Sequence, residues 1–150
     1  GAGDDLVRGG SGDDSLKGQS GADTIFAEGG NDTVRGDTGN DVINGGDGDD
    51  TISGGSGNDL VGGGDGSDYI NGQSGADTLL GDDGDDTLIG GGSADIALGG
   101  DGDDRISGSG SSSDTIAGNE GDDNVSNNLA GEIDESFTLA DEILAALIDI

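Results

Sequence analysis

Aspartate carboxylates recur along this 150-residue chain at a spacing of nine residues. Fourteen of them occupy the same place in successive segments, with one interval of ten: Asp5, Asp14, Asp23, Asp32, Asp41, Asp50, Asp59, Asp68, Asp77, Asp86, Asp95, Asp104, Asp114 and Asp123. The stretches between them are rich in glycine, so the chain offers carboxylate and bare carbonyl oxygens as ligands. Such ligands in a flexible setting favour a hard cation of high coordination number, which is calcium over magnesium or a transition metal.

The composition excludes several classes of function. With no His and no Cys, the chain has no histidine-based triad, thiol chemistry or zinc finger. A net charge of −30, from 34 acidic and 4 basic residues, argues against nucleic acid as a partner. No apolar run reaches the roughly 18 residues that a membrane span needs, so we expect no membrane insertion. The lack of Cys leaves the compartment open.

High charge and low hydrophobicity are also typical of disorder, but the regular period argues for a fold. In the nine-residue register, position six is Asp, position eight is aliphatic throughout, and position four is almost always Gly. The glycine-rich six residues predict a turn, and the last three predict a short strand with its middle side chain pointing inward. Two turns and two strands form an 18-residue coil, so residues 1–126 predict an all-β solenoid of about seven coils.

Stacking these coils creates an electrostatic problem that a cation would solve. Like positions recur every 18 residues, so the aspartates form two columns with about 4.8 Å between neighbouring strands. Carboxylates at that spacing repel one another strongly. We therefore expect the solenoid to require bound cations and the chain to be disordered without them.

The repeat resembles a known motif. Residues 45–53 read GGDGDDTIS, which fits the G-G-x-G-x-D-x-U-x nonapeptide of repeats-in-toxin (RTX, hemolysin-type) calcium-binding proteins, where U is a large aliphatic residue. The resemblance implies a parallel β-roll (a right-handed β-solenoid) that folds only with calcium. It also implies a bacterial protein exported by type I secretion, and hence a location outside the cell or on its surface.

The resemblance further implies where calcium binds. One site is expected between two turns 18 residues apart. For example, the carbonyls of Gly45 and Asp47 and the carboxylate of Asp50 would face the carbonyls of Gly64 and Gly66 and the carboxylate of Asp68. Six gaps on each of two edges give an upper limit of about 12 calcium ions.

The two edges of the predicted roll differ. The first edge carries the column that begins at Asp5, Asp23 and Asp41 and ends at Asp95 and Asp114; the second carries the other column. Ser93 replaces the position-four glycine before Asp95, and the extra residue of the long interval falls before Asp114. Both departures lie on the first edge, so we expect weak or missing calcium at its C-terminal end.

The outward strand positions also differ between the two sheets. One sheet is expected to present Leu6, Phe26, Val42, Leu60, Leu80, Ile96 and Leu98, whereas the other is mostly polar and carries three of the four basic residues. An exposed apolar patch is typical of a contact surface, here with a neighbouring domain or with another copy in a homo-oligomer or filament. The alternative is an ordinary surface with scattered apolar residues.

The period stops after Ser126, and residues 127–150 form a separate segment. Residues 137–150 predict a short helix with Thr138 as its cap and an apolar stripe of Leu139, Ile143, Leu144, Leu147 and Ile148. A helix here would cap the last coil of the solenoid. The same segment is also compatible with part of a type I secretion signal or with an assembly contact.

These observations favour a non-enzymatic, secreted calcium-binding roll with a structural role, such as an adhesin stalk, surface layer or filament subunit. The main alternative is an accessory or secretion module of a larger type I secreted enzyme or toxin. Catalysis within these residues is not expected, because every repeated Asp is assigned to metal. Ice binding is disfavoured, because Tyr69 and Arg105 interrupt the column of Thr33, Thr51 and Thr87.

Overall fold

The computed structural model describes residues 1–110 and 114–126, which form two parallel sheets of seven strands each. Odd-numbered strands make one sheet and even-numbered strands the other. No helix in this part of the chain is long and apolar enough to cross a membrane. In chain order the strands are β1 (Leu6–Ser11), β2 (Ser15–Ser20), β3 (Thr24–Gly29), β4 (Thr33–Thr38), β5 (Val42–Asp47), β6 (Thr51–Ser56), β7 (Leu60–Asp65), β8 (Tyr69–Ser74), β9 (Thr78–Asp83), β10 (Thr87–Gly92), β11 (Ile96–Asp101), β12 (Arg105–Ser107), β13 (Thr115–Glu120) and β14 (Asn124–Ser126).

Each strand pairs with the strand one coil away, so paired residues are 18 positions apart in the sequence. Val7 pairs with Ile25 and Leu16 with Val34, both at an offset of 18 residues. Where the extra residue lies between the two paired strands, the offset is 19, as in the pairing of Ile96 with Thr115. The prediction of an all-β parallel solenoid of about seven coils is confirmed. The helix predicted over residues 137–150 lies outside the described residues.

The strands are twice as long as the sequence predicted. Twelve of the fourteen contain six residues, which are positions seven to nine of one repeat and one to three of the next. The turn is thereby reduced to positions four to six. The prediction missed this because position two has a positive φ yet stays in the ladder, as in the pairing of Gly10 with Glu28.

The core is a narrow column of aliphatic side chains along the axis of the roll. As predicted, position eight points inward, and ten of its members are buried: Ile25, Val34, Ile43, Ile52, Val61, Ile70, Leu79, Leu88, Ala97 and Ile106. Val7, Leu16, Ile116 and Val125 pack against this column at the two ends of the roll. The remaining inward places are taken by Ala27 and the glycines at position one and by the position-six aspartates, so the core brings carboxylates close to apolar side chains.

The outward apolar residues of the odd-numbered sheet do not form one exposed patch, which corrects the sequence-based expectation. Leu80 and Leu98 are only 6% and 4% exposed, and with Ala117 they form a second buried cluster. Leu6 and Ile96 are exposed as predicted, at 65% and 41%. Phe26 packs under Arg8, whose guanidinium carbon lies 4.8 Å from the ring centroid. The homo-oligomer or filament contact stays a prediction.

Candidate metal centre

The position-six aspartates line both edges of the roll from the inside. Each one directly precedes a strand, and that strand turns its carboxylate toward the interior. Four of the predicted ligands lie near the ends of the roll and are half-buried: Asp5, Asp14, Asp114 and Asp123. The other ten are at most 3% exposed: Asp23, Asp32, Asp41, Asp50, Asp59, Asp68, Asp77, Asp86, Asp95 and Asp104.

One oxygen of each inner carboxylate is held by the backbone of the preceding coil. The backbone N–H of Asp32 donates to Oδ1 of Asp50 at 2.7 Å, and the N–H of Asp50 donates to Oδ1 of Asp68 at 2.7 Å. The same bond recurs along both edges, and the N–H of Asp95 still reaches Oδ1 of Asp114 at 3.1 Å across the extra residue. We call this series the inner ladder; it fixes the orientation of the carboxylates from Asp23 to Asp123.

The second oxygen of these carboxylates is buried with no hydrogen-bond partner. This holds for Oδ2 of all ten buried aspartates in the described part of the chain. Burial, followed by the charges of neighbouring aspartates, raises the pKa of Asp68 and Asp86 to about 7. A buried unpaired carboxylate oxygen is costly to keep. These atoms fit a cation, which would provide both the missing partner and the missing charge.

Backbone carbonyl oxygens converge on the same places. A Cβ added to Gly45 would overlap both Oδ2 of Asp50 and the carbonyl oxygen of Gly63 in the following coil. A Cβ on Gly63 would likewise meet Oδ2 of Asp68 and would lie 2.8 Å from the carbonyl oxygen of Gly81. Position one is therefore glycine in every described repeat except at Ala27, because oxygens from two adjacent coils fill the space that a larger side chain would need.

The carbonyls of positions two and four point the other way along the roll. The carbonyl oxygen of Gly46 lies against Gly64 in the following coil, and that of Gly48 lies against Gly66. The gap between turns 45–50 and 63–68 is thus faced by carbonyls of Gly46 and Gly48 from one coil and of Gly63 from the next.

The predicted ligands of this gap are brought together only in part. Asp50 and Asp68 are joined through the inner ladder, as the prediction requires. The carbonyl of Asp47, however, accepts a bond from the N–H of Gly30 in the preceding coil at 2.8 Å, and the carbonyl of Gly66 lies against Gly84 in the following coil.

The two remaining predicted carbonyls follow the same pattern through their repeat positions. Gly45 shares position one with Gly63 and Gly81, whose carbonyls face the preceding coil; Gly64 shares position two with Gly46, whose carbonyl faces the following coil. Of the four predicted carbonyls, those of Gly45 and Asp47 therefore face the gap before this one, and those of Gly64 and Gly66 face the gap after it. The carbonyls that face the gap beside Asp50 are those of Gly46, Gly48 and Gly63.

The donor set combines few carboxylates with many carbonyls. In the described ranges, no three acidic side chains converge on one point, and His and Cys are absent from the sequence. A cation between two coils would therefore be held by at most two carboxylates, with backbone carbonyls as its other ligands. Two carboxylates balance one divalent ion, and an all-oxygen shell rich in carbonyls suits calcium.

A second ladder, on the outside of the turns, was missed by the sequence analysis. Oδ1 of Asp13 accepts the N–H of Asn31 at 2.9 Å, and Oδ1 of Asn31 accepts the N–H of Asp49 at 3.2 Å. This outer ladder uses position five and runs opposite to the inner one. The available signal was the frequency of Asp and Asn at this position: Asp4, Asp13, Asn31, Asn40, Asp49, Asn58, Asp85, Asp103 and Asp122.

The irregular turn on the first edge keeps part of the site. Ser93 adopts a φ of 82°, a left-handed conformation that its glycine counterparts adopt at lower cost. Asp95 is nevertheless buried, with its Oδ2 unpartnered and its pKa raised to about 6, first by burial. Residues 111–113 lie outside the described residues, so weaker calcium binding at this end stays a prediction.

Comparison with known families agrees with this geometry. Five overlapping segments match the RTX calcium-binding nonapeptide repeat, a family model of four repeat copies: residues 1–34, 27–61, 62–97, 80–113 and 98–128. The chain belongs to the RTX calcium-binding nonapeptide repeat family. Calcium is therefore the cation that this RTX roll is built to bind. Among curated proteins, none matches the chain.

Proposed function

We propose that this chain is a secreted, non-enzymatic structural module that folds into its RTX roll when calcium binds. The observation that carries the proposal is the row of ten buried Oδ2 atoms, none of which has a partner in the described part of the chain. Their number makes a cation a requirement of the fold itself.

The chain's own residues explain how folding depends on calcium. Without a cation, folding moves these carboxylates out of water and places them beside one another, in a chain of net charge −30. A bound calcium ion would supply the neutralising charge and the coordination partner that Oδ2 lacks. Because the ligands come together only in the folded roll, binding free energy becomes folding free energy.

This coupling suits export. Extracellular calcium-binding modules typically have dissociation constants of about 10⁻⁴–10⁻³ M, far above cytosolic calcium. The chain would stay unfolded inside the cell and fold outside it or at the cell surface, as type I secretion requires. Up to about 12 ions would be bound, one in each of the six gaps on each of the two edges, with fewer at the C-terminal end of the first edge.

The inner carboxylates support a structural role over a catalytic one. In the ten buried aspartates the oxygen that the inner ladder leaves free is itself inaccessible, so a substrate could not reach it to exchange a proton. An adhesin stalk, a surface layer or a filament subunit uses a rigid roll of this kind. The second candidate is an accessory or secretion module of a larger type I secreted enzyme or toxin, which family membership favours equally.

The test is a calcium titration followed by far-UV circular dichroism, with magnesium at equal ionic strength as the control. We expect strand signal to appear between about 0.1 and 1 mM calcium and to stay absent with magnesium. A chain that is fully structured in chelator would contradict the proposed coupling.

Sedimentation of the same samples separates the two structural candidates. A species that grows with calcium and protein concentration favours a filament or surface-layer subunit with a contact between copies. A folded monomer at every concentration favours an accessory or secretion module.

A further inference from the structure

The outer face of the even-numbered sheet contains a groove that the calcium sites do not use. It has a volume of about 370 Å³ and spans three consecutive strands of that sheet, β4, β6 and β8. This volume lies near the lower end of the range for small-molecule sites, about 300–1,000 Å³. Its lining residues all lie between Thr33 and Gln73.

The groove arises because the middle strand has small outward residues. Ser53 of β6 is paired with Arg35 on one side and Asn71 on the other. Two positions further along, Gly55 lies between Asp37 and Gln73 in the same way. Large polar side chains on β4 and β8 therefore form two walls, and Ser53 and Gly55 form the floor.

An aromatic side chain closes one end of the groove. Tyr69, the only tyrosine in the chain, is 42% exposed and stands beside Thr51 in the ladder. The apolar members of the lining, Val34 and Ile52, point into the core and offer no apolar surface here. The exposed ring is thus the only apolar surface in an otherwise polar groove.

The polar groups are varied and carry no net charge. Nε2 of Gln73 donates to Oγ of Ser53 at 2.7 Å, which fixes that amide against the floor. Arg35 supplies a guanidinium and Asp37 a carboxylate. In the described part of the chain, the ion pairs are Gly1 with Asp5 and Arg8 with Glu28, so neither wall charge is used internally.

We propose that this groove binds a neutral saccharide. An exposed aromatic ring packs against the C–H face of a sugar, and fixed amide, carboxylate and guanidinium groups exchange hydrogen bonds with its hydroxyls. An apolar ligand would leave these polar groups unpaired, which is costly. A polyanion finds no net attraction in the groove, because the single guanidinium of Arg35 is balanced by the carboxylate of Asp37.

The test measures binding of neutral oligosaccharides to the calcium-loaded full chain by isothermal titration calorimetry. The probes are cellohexaose, maltohexaose and xylohexaose, with polygalacturonate as the acidic comparison. We expect at least one neutral probe to bind, and Tyr69→Ala to weaken that binding by about tenfold or more. Ser53→Trp, which fills the floor from the solvent side, is expected to abolish it.

Arg105→Ala is the matched control. Arg105 occupies the same repeat position on the same sheet two coils beyond Tyr69, outside the groove, and is expected to leave binding unchanged. The proposal is overturned if no neutral probe binds, if only polygalacturonate binds, or if Tyr69→Ala and Ser53→Trp have no effect. Circular dichroism of each sample in calcium reports the fold separately, so failure of the groove proposal is distinct from failure of calcium-coupled folding.

Discussion

At the residue scale, the two oxygens of one inner aspartate have different roles. In Asp68, Oδ1 accepts the backbone N–H of Asp50, whereas Oδ2 is buried without a partner. The first oxygen organises the turn, and the second creates the demand for a cation. A substitution that keeps one oxygen and removes the other separates these roles.

Asp68→Asn is that substitution. The amide oxygen can still accept the N–H of Asp50, but an NH₂ group replaces Oδ2 and cannot bind a cation. We expect calcium-induced folding to need several-fold more calcium and the calcium-loaded roll to lose about 1–3 kcal/mol of stability. Calcium titration by circular dichroism and urea unfolding in calcium measure the two effects.

The matched control is Asp49→Asn, which makes the same chemical change next to the inner ladder. The Asp49 side chain belongs to the outer ladder and supplies no ligand to the metal site. Asn31 already occupies the equivalent position one coil earlier. We expect almost no change in the calcium midpoint. Equal shifts for the two variants would show that the effect is one of overall charge.

The raised pKa values predict an unusual pH dependence for the metal-free chain. Burial raises the pKa of Asp68 and Asp86 to about 7 and of Asp59 and Asp104 to about 6, against 3.8 for an exposed aspartate. Between these values the folded roll binds more protons than the unfolded chain, so its stability rises as pH falls from about 7 toward about 4. Circular dichroism in metal-free buffer should show strand signal increasing on acidification.

Calcium removes this trend, because the calcium-loaded roll holds these carboxylates deprotonated, as the unfolded chain does above about pH 5. The calcium concentration needed for folding is therefore expected to change little between about pH 8 and 5 and to rise as pH falls toward about 4, where protons occupy the carboxylates of the unfolded chain. A midpoint that rises several-fold between about pH 8 and 6 would contradict this, because an exposed aspartate binds almost no protons there.

At the element scale, the turn depends on position-four glycine for two reasons. Gly39 has a φ of 133°, and a Cβ there would overlap the carbonyl of Gly21 in the preceding coil. We expect Gly39→Ala to cost at least about 2 kcal/mol in the calcium-loaded roll, from left-handed strain and displacement of the neighbouring turn. Urea unfolding in saturating calcium measures this loss.

Gly29→Ala is the control for that change. Gly29 ends β3, where an added Cβ would come no closer than 3.9 Å to Asp47. This variant is expected to change stability by no more than about 0.5 kcal/mol. A similar loss of stability at both positions would mean that the general effect of replacing glycine by alanine, and not the geometry of the turn, dominates.

The sequence predicts the coil well because the same residue types recur every nine residues. The columns of Asp and of aliphatic residues specify which side chains point inward, and both columns are where the period places them. Strand length was missed because Gln19 and Glu28 adopt a positive φ of 81°, which their residue types do not signal. The carbonyl ligands were only partly predicted, since a residue's identity does not reveal which neighbouring coil its carbonyl faces.

At the scale of the whole molecule, the coils interact only with their neighbours, so a local defect should have a local effect. The extra residue before Asp114 is such a defect, and Asp114 accepts the backbone N–H of Asp95 in the inner ladder. We expect Asp95→Asn to shift the calcium midpoint less than Asp86→Asn, because the gap beside Asp95 is the one that we expect to bind calcium weakly already in the unmodified chain. Calcium titrations of both variants make the comparison; a larger shift for Asp95→Asn would contradict it.

The stacking of coils also determines how the roll responds to a pulling force. Backbone hydrogen bonds between coils, such as that from Thr51 N–H to the carbonyl of Asp32 at 2.9 Å, run along the axis of the roll. A pull on the two ends loads these bonds directly and peels off one coil at a time. Each coil releases 18 residues, or about 60 Å of extended chain. Calcium ions bound between neighbouring coils would resist the same pull, so the external calcium concentration would set the force at which the roll begins to lengthen.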